Sequence, residues 1–292
     1  KFEFNTKIIW YEVETNEPIS IFTRINLGKI PLTNSELIKA LFLNSSNFTS
    51  NSDDRIKLRQ IEIASEWERI EMTLQNDEFW YFLNDKDKHT NRIEFIFDLM
   101  NDSKDQSDTY STFRYFSNKF INKNERVLEK VWDEVNDYYR RFCEWYYDRV
   151  LYHKIGYLIY VGEQIEELMN ASRRKAKSMF KEYLNSKIRN KLKNVNIDEL
   201  ECGDKDKKTI RSVMLLYNIE TMLKNKNENS RFPFSIFANN KWDIEHITAI
   251  KSELPQNSKQ QDNWINDSRD YVEDKELLKK IEVYYQKKED FQ

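Results

Sequence analysis

Residues 128–145 read LEKVWDEVNDYYRRFCEW, and within them Leu128, Val131, Val135, Tyr138, Phe142 and Trp145 recur at steps of 3, 4, 3, 4 and 3. Those steps keep one stripe of a helix apolar while Glu, Lys, Asp, Asn and Arg fill the rest, which predicts an amphipathic helix with a heptad-like seam. A free-standing coiled coil needs more heptads than this, so the stripe is expected to pack inside a helical domain. Trp132, Tyr138, Trp145 and Tyr146 are then core side chains and not a platform for stacking bases.

The composition outside this stretch agrees. The 292 residues contain four glycines (Gly28, Gly156, Gly162, Gly203) and four prolines (Pro18, Pro31, Pro233, Pro255), far below the usual ~7% and ~5%. Sandwiches, barrels and collagen-like folds need more turns than that. No two glycines are close enough to build a Gly-rich phosphate loop or a dinucleotide fingerprint. Hydrophobic residues make up 39% and charged ones 33%, and aromatics at 14% supply large side chains to a core with few aliphatics. No stretch reaches the ~20 apolar residues that span a bilayer, and KFEFNTKIIW at the start lacks the apolar run of a secretion signal. The expected setting is cytoplasmic, away from membranes. Cys143 and Cys202 have no metal-type spacing, and no structural disulfide is expected of them.

Working outward from the long helix, Thr33 and Glu36 form a capping box, with Leu32 and Leu37 at staple positions, so a helix runs to about Leu43. Helices are also predicted over about 54–75, 77–84, 91–100, 109–120, 149–169, 172–192 and 206–225, with a charge-rich helical tail over 268–290. Residues 1–13, KFEFNTKIIWYEV, read as a β-strand. A lone strand is not stable, so its sheet partners are expected either upstream, in a longer protein, or in stretches of this sequence that do not read as strands. After the polar stretch NENSR (227–231), FPFSIFANNKWDIEHITAI reads as strand-like, and a second domain is expected from about Arg231.

The net charge of −3 hides one asymmetry. Between Arg173 and Lys193, nine Lys or Arg residues face one acid, Glu182, a local +8 that leaves −11 for the remainder. Arg173, Arg174, Lys177 and Lys181 are therefore candidate contacts to DNA phosphates, with a solvated helix face as the alternative. There are three histidines. His89 sits in a charged loop and His153 in an apolar helix, where a structural role is the simplest account. His246 follows Asp243 and Glu245 in WDIEH. Two carboxylates that hold a divalent cation beside an imidazole that deprotonates water make a workable phosphodiester-hydrolysis site, although strand alternation puts the acids and the histidine on opposite faces unless a bulge brings them together.

Two blocks carry a resemblance. ISIFTRINLGKIPLTNSELIKALFL (19–43) resembles the shared IF-x-x-IN-x-G-x-x-L-T-x-x-E-L-I-K pattern of the GmrSD-type restriction proteins, and RFPFSIFANNKWDIEHITA (231–249) resembles the start of their HNH nuclease domain. The helical region between the blocks has the length that family would give it. The resemblance implies a mainly α chain: a helical bundle at 51–230, a remnant of an α/β ParB-like nucleotide-hydrolysing domain at 1–50, and the first strand region of a ββα-metal (HNH) domain at 231–292. It implies His246 as general base, Glu245 and Asp243 as ligands of a divalent metal such as Mg, and Arg24, Asn26 and Gly28 near a nucleoside triphosphate. Asn26 and Gly28 equally suit an ordinary turn. The expected partner is foreign or modified DNA, with a homo-oligomer as a further expectation. The family's Asp-Gly-Gln-Gln-Arg motif does not occur in this sequence, no histidine follows His246, and Thr248 and Ala249 replace the usual proline. The alternative reading is a non-catalytic helical module that binds DNA or another protein.

Overall fold

The computed structural model describes residues 32–48, 52–87, 89–102, 105, 107–121, 125–201, 205–239, 242, 257–269, 272 and 274–289. The described residues contain helices and no strand: α1 (Asn34–Leu43), α2 (Asp53–Gln75), α3 (Asp77–Leu83), α4 (Glu94–Met100), α5 (Ser111–Lys119), α6 (Glu125–Tyr147), α7 (Arg149–Tyr160), α8 (Ile165–Arg174), α9 (Lys177–Leu192), α10 (Lys207–Lys224), α11 (Phe234–Ala238), α12 (Ser258–Arg269) and α13 (Lys275–Glu289). The chain divides into two compact units after Trp242.

The heptad-like stripe is the seam of α6: Leu128, Val131, Val135, Tyr138, Phe142 and Trp145 are all buried. Burying such side chains contributes about 1.5–3 kcal/mol each, which is what holds helices of low intrinsic stability together. Large rings fill the space across from it. Trp132 stacks on Trp67 of α2 at 6.1 Å with an interplanar angle of 4°, and Phe42 of α1 meets Trp132 edge-on at 5.1 Å. The capping box of α1 is formed, with the Thr33 N–H donating to Glu36 Oε2 at 2.7 Å and the Glu36 N–H donating to Thr33 Oγ1 at 3.3 Å. Buried Asn34 ties α1 to its neighbours by donating to Glu94 Oε1 (2.8 Å) and the Thr109 carbonyl (2.9 Å) and accepting from the Phe113 N–H (3.0 Å).

At the centre of the first unit lies α7, packed against α3, α6, α9 and α10. It buries residues all round its circumference, including Tyr152, His153, Ile155 and Tyr157. The sequence predicts one helix over 149–169, but α7 stops at Tyr160. Gly162 takes φ +85°, the Glu163 N–H returns to the Leu158 carbonyl at 2.8 Å, and the Gly162 N–H returns to that of Ile159 at 3.0 Å. This is a Schellman stop, which only glycine adopts without a steric penalty. The predicted helix over 172–192 is likewise two: Lys175 and Ala176 are extended, leaving Arg173 and Arg174 at the end of α8.

The strand-like reading is corrected over Phe234–Ala238, which forms the short helix α11. The Phe237 and Ile236 N–H groups both donate to the Pro233 carbonyl at 3.1 Å, and the turn lets Phe234 and Phe237 bury together. Phe234 enters the core because Gly156 has no side chain: a Cβ there would lie 2.2 Å from the Phe234 ring. The helical unit thus continues past Arg231 to Trp242, whose ring lies 5.2 Å from that of Phe232. The strand expected over 1–13 and the remnant domain around it lie outside the described residues. In the second unit α12, which the sequence reading did not anticipate, is joined to α13 by Tyr284 Oη to Asp262 Oδ1 at 3.2 Å and Tyr285 Oη to Asn266 Oδ1 at 2.7 Å.

Candidate functional site

Arg24, Asn26, Gly28, Asp243, Glu245 and His246 lie outside the described residues. The described chain nonetheless holds the segment that leads into WDIEH. His153, fully buried in α7, donates from Nδ1 to the Arg149 carbonyl (2.6 Å) and accepts the Phe232 N–H at Nε2 (3.0 Å), which requires a neutral ring with its proton on Nδ1. Burial is the main force lowering its pKa to about 4, against the Arg149 carbonyl bond that raises it and with help from the charges of Arg149 and Arg231. Tyr152 Oη donates to the Phe232 carbonyl at 2.9 Å and Tyr160 Oη to that of Phe234 at 3.1 Å. Arg149 reaches the carbonyls of Met222, Asn225 and Ser230 at 2.6, 3.2 and 3.2 Å. The second sequence block is therefore pinned to α7 at Phe232 and Phe234, and the ring of Trp242, one residue before Asp243, packs against Phe232 and Phe237 at 5.2 and 6.2 Å.

The structure distributes the basic run over two helices and neutralises much of it. Arg173 Nε donates to Asp137 Oδ2 at 3.0 Å, and its guanidinium lies 4.2 Å from the Tyr138 ring centre. Lys177 and Lys181 converge on Asp148 at 3.1 and 2.8 Å. Asp148 also caps α7, accepting from the Val150 and Leu151 N–H groups at 3.0 and 3.1 Å. Burial pushes its pKa up, but Lys181, the Leu151 N–H and Lys177 outweigh it and hold the carboxyl at about 2. Lys187 lies between Glu163 and Glu167, and Lys191 reaches Glu163 at 3.2 Å. The candidates Arg173, Lys177 and Lys181 are thus engaged in holding α6, α7, α8 and α9 together. Arg174, Lys175, Arg189 and Lys193 are exposed, without a carboxylate partner among the described residues.

Where the ends of α7 and α9 meet the first turns of α10, a cleft of about 440 Å³ opens. Tyr160, Val161, Leu192, Val195, Leu215 and Phe237 form the apolar part of its lining. Lys86, Lys191, Lys208 and Arg211 supply positive charge there, opposed by Asp85. The Arg211 guanidinium stacks 4.6 Å from the centre of the Phe237 ring, and Ser212 Oγ, also in the lining, is 3.1 Å from Tyr157 Oη. No pattern in the sequence announces this cleft, because its cations come from three separate segments.

Among the described residues, no group of three or more His, Cys, Asp or Glu side chains is placed to hold a metal ion, and no helix is long and apolar enough to cross a membrane. Cys143 is free and half-buried, and burial raises its thiol pKa above the ordinary value. Compared with protein-family models, with curated proteins and with solved structures, the chain matches none.

Proposed function

We propose that the chain is part of a GmrSD-like restriction or antiphage DNA endonuclease, with the helical unit joining a ParB-like nucleotide-hydrolysing domain to an HNH nuclease. The observation that carries this reading is the pair of sequence blocks in their family order, together with the anchoring of Phe232, Phe234 and Trp242 on the helical unit immediately before Asp243. In this reading His246 takes the proton of the attacking water. Asp243 and Glu245 offer the hard oxygen ligands that suit a magnesium-like cation, which when bound neutralises charge on the scissile phosphate. Arg24, Asn26 and Gly28 belong to the neighbourhood of the nucleoside triphosphate. The DNA is foreign or modified, and a homo-oligomer is compatible with the proposal.

The test is metal-dependent nicking of plasmid DNA by the full-length gene product. His246→Ala should abolish nicking with the helical circular-dichroism spectrum retained, and undiminished nicking would remove His246 from the mechanism.

The exposed cations Arg174 and Arg189 favour a second reading, a non-catalytic DNA-binding module. In that case binding falls steeply with salt, by a log–log slope of about −0.9 per phosphate contact. It is then lost in Arg174→Glu/Arg189→Glu and untouched by His246→Ala.

A further inference from the structure

We infer that the cleft between α7, α9, α10 and α11 is a binding site for a nucleotide, either free or as the 5′-phosphorylated end of a strand. This inference does not depend on the nuclease reading.

Charge is the first argument. The chain as a whole is acidic, at −3, yet four of the five charged residues lining this concavity are cations. On α9 three lysines outside the cleft are paired, Lys177 and Lys181 with Asp148 and Lys187 with Glu163. In the cleft Lys86, Lys208 and Arg211 have no carboxylate partner among the described residues, and only Lys191 is paired, to Glu163 at 3.2 Å. A concave cluster of unpaired cations raises the local concentration of anions and suits a phosphate, which Arg can grip through two parallel hydrogen bonds.

Shape is the second argument. A bare phosphate needs little room, whereas about 440 Å³ with an apolar lining falls within the range that encloses an organic ligand. Half-buried Tyr160 supplies aromatic surface to the lining, and the buried Phe237 ring behind it meets it edge-on at 5.2 Å. The stacking of Arg211 on Phe237 fixes its guanidinium plane while leaving in-plane N–H groups to donate. Thr209 and Ser212 add hydroxyls beside it. A ligand that matches both halves carries a flat ring for the apolar lining and a phosphate for the cations, which is the chemistry of a nucleotide.

Calorimetric titration of the 292-residue chain with deoxyadenosine 5′-monophosphate tests this, with deoxyadenosine and inorganic phosphate as the two partial ligands. Saturable binding of the nucleotide is expected, with each partial ligand weaker by about tenfold or more. Lys208→Gln/Arg211→Gln should weaken nucleotide binding by about tenfold or more, and Val195→Trp, which fills the cleft, should abolish it; both variants should keep the unmodified melting temperature to within a few degrees. Arg211→Lys retains the charge and guards against misfolding as the cause. A 5′-phosphorylated single-stranded oligonucleotide that displaces the nucleotide and binds more tightly identifies a strand end as the source, and failure to displace it identifies the free nucleotide. Absence of saturable binding, phosphate binding as tightly as the nucleotide, or variants that bind like the unmodified chain would each overturn the inference.

Discussion

At the scale of single residues, His153 shows how burial makes an ionisable group structural. Its two nitrogens are committed to the Arg149 carbonyl and the Phe232 N–H, so a second proton can be added only by breaking the bond to Phe232. Its pKa, lowered from 6.5 to about 4, makes stability depend on pH. Above pH 6.5 the ring is neutral whether folded or unfolded, and stability is complete. As pH falls from 6.5 towards 4 the unfolded chain takes up the proton and the folded one does not, so stability drops by on the order of 3 kcal/mol. Urea unfolding at several pH values should show this slope, and His153→Gln should flatten it while lowering stability at neutral pH. A slope that survives the substitution would assign it to other groups. Reading His153 as structural was within reach of the sequence, because the residue interrupts an apolar run. Its partner Phe232 was not, because the two are separated by 79 positions.

At the scale of elements, the caps and stripes were legible and the breaks were less so. Thr33 and Glu36 announced the start of α1 and the heptad-like spacing announced α6, since both signals are local and periodic. Continuing the helical pattern through Gly162 overlooked the one glycine at positive φ among the described residues. Asp148 joins several elements at once, as the N-cap of α7 and the partner of Lys177 and Lys181 on α9. Asp148→Ala should cost about 1–2 kcal/mol, through loss of the cap and of both ion pairs. Asp148→Asn keeps the cap acceptor and should cost clearly less, and its thermal stability should respond less to added salt than that of the unmodified protein. Equal losses for the two substitutions would show that the charge, not the cap, is what α7 needs.

At the scale of the whole helical unit, the close approach of α7 and α11 depends on one missing side chain. Phe234 occupies the space beside Gly156, so the two positions should not behave independently. Phe234→Ala should cost about 3–5 kcal/mol as a large buried ring is lost. Gly156→Ala should also destabilise the intact chain, because the ring must move, yet be tolerated once Phe234 is alanine. Additive losses in that double-mutant cycle, read by denaturant unfolding, would show that the two do not share the space.

By itself the sequence determined that the chain is mainly helical, where the apolar face of α6 lies, how α1 begins and that His153 sits in an apolar helix, since each of these follows from spacing within a few turns. Only the tertiary structure decided that Arg173, Lys177 and Lys181 meet Asp137 and Asp148, and that Lys86, Lys191, Lys208 and Arg211 line one cleft. Helical periodicity says which face a residue occupies on its own element. Ion pairs and cavities arise between elements, and their residues become neighbours only when burial of the aromatic core brings distant helices together.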